Sequence, residues 1–156
     1  MAINKDFEDL LRFLNSVHAK YLVVGAYAVI FYTEPRYTKD IDIWIQPTSE
    51  NARKVYAALK RFGAPVKGLK VEDLTDPRMV YQVGVEPNRI DILMGIGRLS
   101  FDPAWKNRKV SRYGREKIYL LNRQDLVQAK RGTGRLQDQV DLQLLSQVAH
   151  RRRIRR

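Results

Sequence analysis

The chain has 156 residues, enough for one domain with its own core, and 44% of them are hydrophobic, which excludes a disordered composition. It has no cysteine, which excludes disulfides, thiol nucleophiles and cysteine-built zinc, and its two histidines, His18 and His150, stand too far apart to suggest a metal site. Its 29 Lys and Arg against 17 Asp and Glu leave a net charge of +12, a balance suited to polyanionic partners: nucleic acid, nucleotides or an acidic protein surface.

The opening "MAINKDFEDLL" lacks a basic-then-apolar signal pattern, and no apolar run reaches the length of a membrane span. The expectation is a soluble, cytoplasmic protein with no membrane partner. Residues 4–18 place Phe7, Leu10, Leu11, Leu14 and Val17 at helical spacing behind a candidate N-cap, Asn4. "YLVVG" is a short buried strand ended by Gly25, and "AYAVIFY" is a helix stopped by "TEPR". "TKDIDIWI" alternates with period two, with Ile41, Ile43 and Ile45 on one face. "SENARKVYAALKRFG" is a second amphipathic helix, with Ser49 near its start and Gly63 past its end. "MVYQVGV" and "RIDILM" pair around "EPN", "FDPAW" marks a turn or short helix, and "KVSRYG" and "KIYLL" form a last hairpin. "RQDLVQAKR" is helical, "GTG" breaks it, and a final helix follows, with Leu136, Val140, Leu144 and Val148 as its packing stripe. The order predicts an α+β (α/β) fold: a small mixed β-sheet flanked by helices, with further helices at the C-terminus. It predicts a single domain over residues 1–149 and a basic tail, 150–156, read either as a solvated end or as a phosphate-gripping arm carrying Arg151, Arg152 and Arg153.

Two carboxylates interrupt the "DIDIWI" strand, although Asp is depleted in strands. Residues i and i+2 share a face, so Asp40 and Asp42 stand on one side, about 7 Å apart along the strand, with Ile41 and Ile43 opposite. Like charges this close call for a cation, and a hard divalent ion takes carboxylate oxygens. Asp91 in "NRIDILM" stands between Ile90 and Ile92 in the same way. If the two strands are neighbours, three carboxylates converge, a ligand set for two metals about 3.5–4 Å apart. The competing reading is an edge strand with a wet face. Gly25, where a strand opens directly into a helix, permits close backbone approach and turns the helix's positive end to an anion; its ordinary reading is a turn.

Together these residues resemble the nucleotidyltransferase superfamily of the DNA polymerase β type. "VVGAYAVIFYTEPRYTKDIDIWI" carries the strand, the Gly-opened helix and the Asp-x-Asp strand, and "RIDIL" carries the third acid. Gly25, Ala28, Arg36, Thr38, Asp40 and Asp42 match a Gly-Gly-x-Ala and Arg-x-Thr-x-Asp-x-Asp pattern of small prokaryotic nucleotidyltransferases, including those of toxin–antitoxin and abortive-infection systems. Lys130, Arg135, Asp138 and Asp141 match their late Lys…Arg-x-x-Asp segment. The resemblance runs from about residue 20 to 146. It implies a metal-dependent transfer of a nucleoside monophosphate from a nucleoside triphosphate (NTP) to a hydroxyl of RNA, a protein side chain or a small molecule, and the net charge of +12 favours RNA, such as a tRNA end. It implies two Mg²⁺ or Mn²⁺ ions on Asp40, Asp42 and Asp91, with Asp91 helping to deprotonate the acceptor. Gly25, Ala26, Thr38, Lys130 and Arg135 would meet the nucleotide phosphates. By charge rather than by resemblance, Arg151, Arg152 and Arg153 of the tail and Arg36 and Lys39 beside the acids are candidate nucleic-acid contacts, Arg36 and Lys39 having the alternative reading of neutralising a crowded acidic patch. Ala26 departs from the family's Gly or Ser and offers a backbone N–H but no hydroxyl. The alternative is an inactive domain of the same fold that binds nucleic acid or neutralises a toxin.

Overall fold

The computed structural model describes residues 3–33, 40–84, 88–131, 133 and 135–155; of residues 148–155 it describes the backbone. Helix α1, Lys5–Ser16, begins as its sequence dictates: the Asn4 side chain accepts from the backbone N–H of Asp6 at 2.9 Å and of Phe7 at 3.3 Å. Its buried residues Phe7, Leu10, Leu11 and Leu14 are the apolar positions of the helical period. Strand β1, Tyr21–Val24, runs directly into helix α2, Gly25–Tyr32. Strand β2 is Asp40–Ile45, and helix α3, Ser49–Phe62, follows it. The cap of α3 is Thr48, whose hydroxyl accepts from Asn51 N–H, and the helix ends on Gly63 at φ +97°, the left-handed position that suits glycine.

A 3₁₀ turn, Val71–Thr75, precedes β3, Val80–Val83, and β4, Arg89–Leu93. Helix α4, Phe101–Lys106, leads to the hairpin of β5, Lys109–Tyr113, and β6, Glu116–Leu120. Helices α5, Arg123–Lys130, and α6, Leu136–Arg155, complete the chain. Of the "EPN" turn, Glu86 and Pro87 lie outside the described residues, as do Gly132 and Gly134 of "GTG".

The six strands form one mixed sheet in the order β3-β4-β2-β1-β6-β5. β2 pairs with β4 and β1 with β6 in parallel; the other pairs are antiparallel. Ile41, Ile43 and Ile45 are wholly buried, as are Val55, Ala58 and Leu59 of α3, and α3 packs on α1 and on β2. Asn51 ties this layer to the strands: its amide donates to the carbonyls of Lys20 and Gln46, both at 2.9 Å, and its carbonyl accepts from Lys20 N–H at 2.7 Å. A buried amide so fully paired fixes where β1 begins and β2 ends. Helices α5 and α6 pack on each other and on α2. No helix among the described residues is long and apolar enough to cross a membrane.

The final helix corrects one expectation. Leu136 is 79% exposed and Val140 50%, so the stripe of Leu136, Val140, Leu144 and Val148 is not the packing face; the side chain of Val148 lies outside the described residues. The buried positions are Asp138, Asp141 and Leu145, which also recur at helical spacing. The reason is a buried cation on α5: Lys130, 8% exposed, bonds Asp138 at 2.9 Å and Asp141 at 3.0 Å. Two carboxylates turn inward because an ammonium waits there, and Leu136 and Val140, on the other side of the helix, face solvent.

Candidate metal and nucleotide site

Strand β2 lies in the interior of the sheet, between β4 and β1, so its aspartates do not stand on a wet edge. Parallel pairing sets Asp42 directly against Asp91 and Asp40 against Arg89. In a flat pairing the Cα atoms of such partners stand about 5 Å apart. Like charges directly opposite are destabilising in a sheet, and a chain selected for stability alone has no reason to place them there.

One carboxylate oxygen from each of Asp40, Asp42 and Asp91 falls within a set whose members all lie within 4.8 Å of one another. Asp91 is nearly buried, and Asp40 and Asp42 are half-buried. Burial pushes the Asp42 carboxyl up to about 7; the charges of Asp91 and Asp40 and a hydrogen bond with Asp91 push it the same way, while Arg89 pulls it down. The donor set is entirely hard oxygen, which fits Mg²⁺ or Mn²⁺ and does not fit a soft metal.

Gly25 sits against this cluster. It has φ +66°, and a Cβ there would collide with Asp42 Oδ2. Both constraints demand glycine, so the carboxylate lies against bare backbone at the first residue of α2. The N-cap position of α2 is Val24, which offers the helix no side-chain acceptor. The first-turn N–H groups, including that of half-buried Ala26, therefore form a positive pole with no side-chain cap, next to the carboxylate of Asp42.

The remaining expected site residues divide. Arg36, Thr38 and Lys39 lie outside the described residues, as do the side chains of Arg151, Arg152 and Arg153. Lys130 is not on a wet helix face: it is sealed between Asp138 and Asp141, with Gln137 donating to Asp141 and Thr133 to Asp138. Arg135, 78% exposed, pairs with Asp138 at 3.1 Å. Lys130, Thr133 and Arg135 together hold the Asp138 carboxyl below its usual range, against the opposing effect of burial. Trp44 shares the face of Asp40 and Asp42, but it is buried and packs edge-on against Phe101 at 5.1 Å. With Phe101 and Asp102 it walls a separate cavity of about 530 Å³ beyond the ends of β2 and β4.

Arg89 escaped sequence reasoning. Its Nη2 donates to Asp40 Oδ2 at 2.7 Å and to Asp91 Oδ2 at 3.2 Å, and its Nε donates to Asp91 Oδ1 at 3.1 Å. The signal was present: Arg89 stands two residues before Asp91, so strand alternation puts both on one face. What no sequence pattern supplies is the register that brings Asp40 opposite it.

No family model matches the chain, and no curated protein matches it. Among solved structures it is similar to the crystal structure of lincosamide antibiotic adenylyltransferase LnuA, lincomycin-bound. The TM-score is 0.61 and the identity 16%, over 95% of this chain and 99% of that one. The likeness is one of fold, and the nucleotidyltransferase-like fold expected from the sequence is the fold found.

Proposed function

We propose that the protein is a metal-dependent nucleotidyltransferase that moves a nucleoside monophosphate from an NTP to a hydroxyl and releases pyrophosphate. The observation that carries this reading is the convergence of Asp40, Asp42 and Asp91 from two adjacent parallel strands, beside the uncapped start of α2 at Gly25. A wet strand face needs no such register, and a stable sheet disfavours it. The shared fold with an adenylyltransferase supports the same reaction class.

In this reading the acceptor oxygen attacks the α-phosphorus, the bond to the bridging oxygen breaks, and pyrophosphate leaves with the electron pair. Asp91 accepts the hydroxyl proton, and the α2 N-terminus with Gly25 and Ala26 holds phosphate oxygens through backbone N–H groups. Asp40, Asp42 and Asp91 would hold the divalent metal, which when bound would supply charge neutralisation for the phosphates. Of the two late cations, Arg135 is the one exposed enough to turn to a triphosphate, whereas Lys130 must first leave two carboxylates. The net charge of +12 supports RNA, such as a tRNA end, over a neutral acceptor, and a toxin–antitoxin or defence setting draws on the resemblance of the motifs.

The test uses each of the four labelled NTPs with Mg²⁺ and a panel of total RNA, protein and small hydroxyl compounds. Label transfer by the wild type and its loss in Asp42→Ala is the expected result. No transfer from any nucleotide to any acceptor, with wild type equal to Asp42→Ala, overturns the reading.

A further inference from the structure

Arg89 has no part in the reaction as just drawn, yet its guanidinium takes one oxygen of Asp40 and both oxygens of Asp91. These carboxylates are two of the three that would hold a metal. A divalent ion and a guanidinium gathered on the same oxygens repel each other at short range in a partly buried site. Metal entry and the Arg89 contacts are therefore in competition.

We propose that Arg89 is an exchange cation: it neutralises the acid cluster in the metal-free protein, yields its carboxylates when metal enters, and passes to the triphosphate that arrives with the metal. This rests on the nucleotidyltransferase reading and adds to it a residue and a coupling between metal and triphosphate. Three features carry it. The cluster needs a cation in the absence of metal, because Asp42 and Asp91 are direct cross-strand partners. The Arg89 side chain is 30% exposed, so its guanidinium stands at the rim and not in a sealed site. Its planar fork matches two phosphate oxygens as well as it matches carboxylates, which an ammonium does not do. Arg89 is also the first residue of β4, where a long stem turns outward without breaking the strand behind it.

The consequence is coupling. Metal alone displaces Arg89 and gives it no new partner. Metal with a triphosphate gives it one, so each of the two tightens the other.

The test is calorimetric titration of Mn²⁺ into metal-stripped wild type, Arg89→Gln and Arg89→Lys, with and without a non-hydrolysable NTP analogue. Arg89→Gln is expected to bind Mn²⁺ alone about tenfold more tightly than wild type, the scale of one charge-assisted contact removed. The analogue is expected to improve Mn²⁺ affinity less in that variant than in wild type. Arg89→Lys keeps the charge and loses the fork, so it falls between them, and it carries the comparison if Arg89→Gln does not fold. Equal or weaker Mn²⁺ binding by folded Arg89→Gln, or an undiminished effect of the analogue, overturns the exchange role while leaving the nucleotidyltransferase reading intact. A wild type that takes up no Mn²⁺ under either condition overturns both.

Discussion

Asp40 and Asp91, with Asp42 beside them, share one guanidinium, and Asp138 and Asp141 share one ammonium, yet the two clusters are built differently. In the first, the acids come from adjacent strands, the cation stands at the rim, and one carboxyl is pushed up to about 7. In the second, acids and cation come from neighbouring helices, all three groups are buried, and Asp138 is held below its usual range. The first is crowded with negative charge and half-open, so an added cation relieves it. The second is already neutralised by Lys130, Arg135 and two hydrogen-bonded neighbours, so nothing is gained by adding to it. A cluster of acids points to a ligand when its charge is left unbalanced in the fold, and its mere presence says little.

Substitutions in each cluster break or sharpen that contrast. The largest effect is expected from Asp42→Asn: transfer from labelled NTP falls by roughly 10³-fold, the scale for removing one member of a set that acts as a unit. Lys130→Met strands two buried carboxylates and is expected to cost about 3–5 kcal/mol in urea unfolding, with no recovery on adding Mn²⁺. A loss at Lys130 confined to KM for NTP, with stability unchanged, would return that lysine to the triphosphate and erase the contrast.

Gly25→Ala forces a Cβ into Asp42 Oδ2 at a positive φ and is expected to cost about 1–3 kcal/mol while weakening Mn²⁺ binding. The pH response separates the clusters next. Asp42 has a higher pKa folded, about 7, than unfolded, 3.8, so the folded state binds the extra proton between those values. Stability of the metal-free protein from this group is therefore present at low pH and lost as pH rises from about 4 to 7. Asp42→Asn is expected to flatten that slope and to stabilise the metal-free protein at pH 8 by roughly 1–3 kcal/mol, measured by thermal melts in chelator. Arg135→Ala removes an exposed arginine from a buried carboxylate that Lys130 and Thr133 still hold, and is expected to change stability by no more than about 1 kcal/mol.

Much of the frame was legible in the residues. Asn4 as a cap, the Gly25 junction, the Ile41, Ile43 and Ile45 face and the Gly63 stop each follow from local preference, and each is found. Leu136 and Val140 misled because helical spacing names several possible faces, and a buried lysine eight residues from Asp138 chose another. Arg89 carries no local signal of its partners, because an arginine at the first position of a strand is ordinarily solvated, and only the register places Asp40 beside it.

By itself the sequence determined which residues alternate, where helices start and stop, and that three aspartates interrupt apolar strands. Those properties are local, set by periods of two and 3.6 residues and by caps. Only the tertiary structure decided that β2 is an interior strand, that Asp42 faces Asp91, that Arg89 bridges Asp40 to Asp91, and that Lys130 is sealed. Register and burial depend on partners far away in the chain, and a charge acquires its meaning from what the fold places beside it.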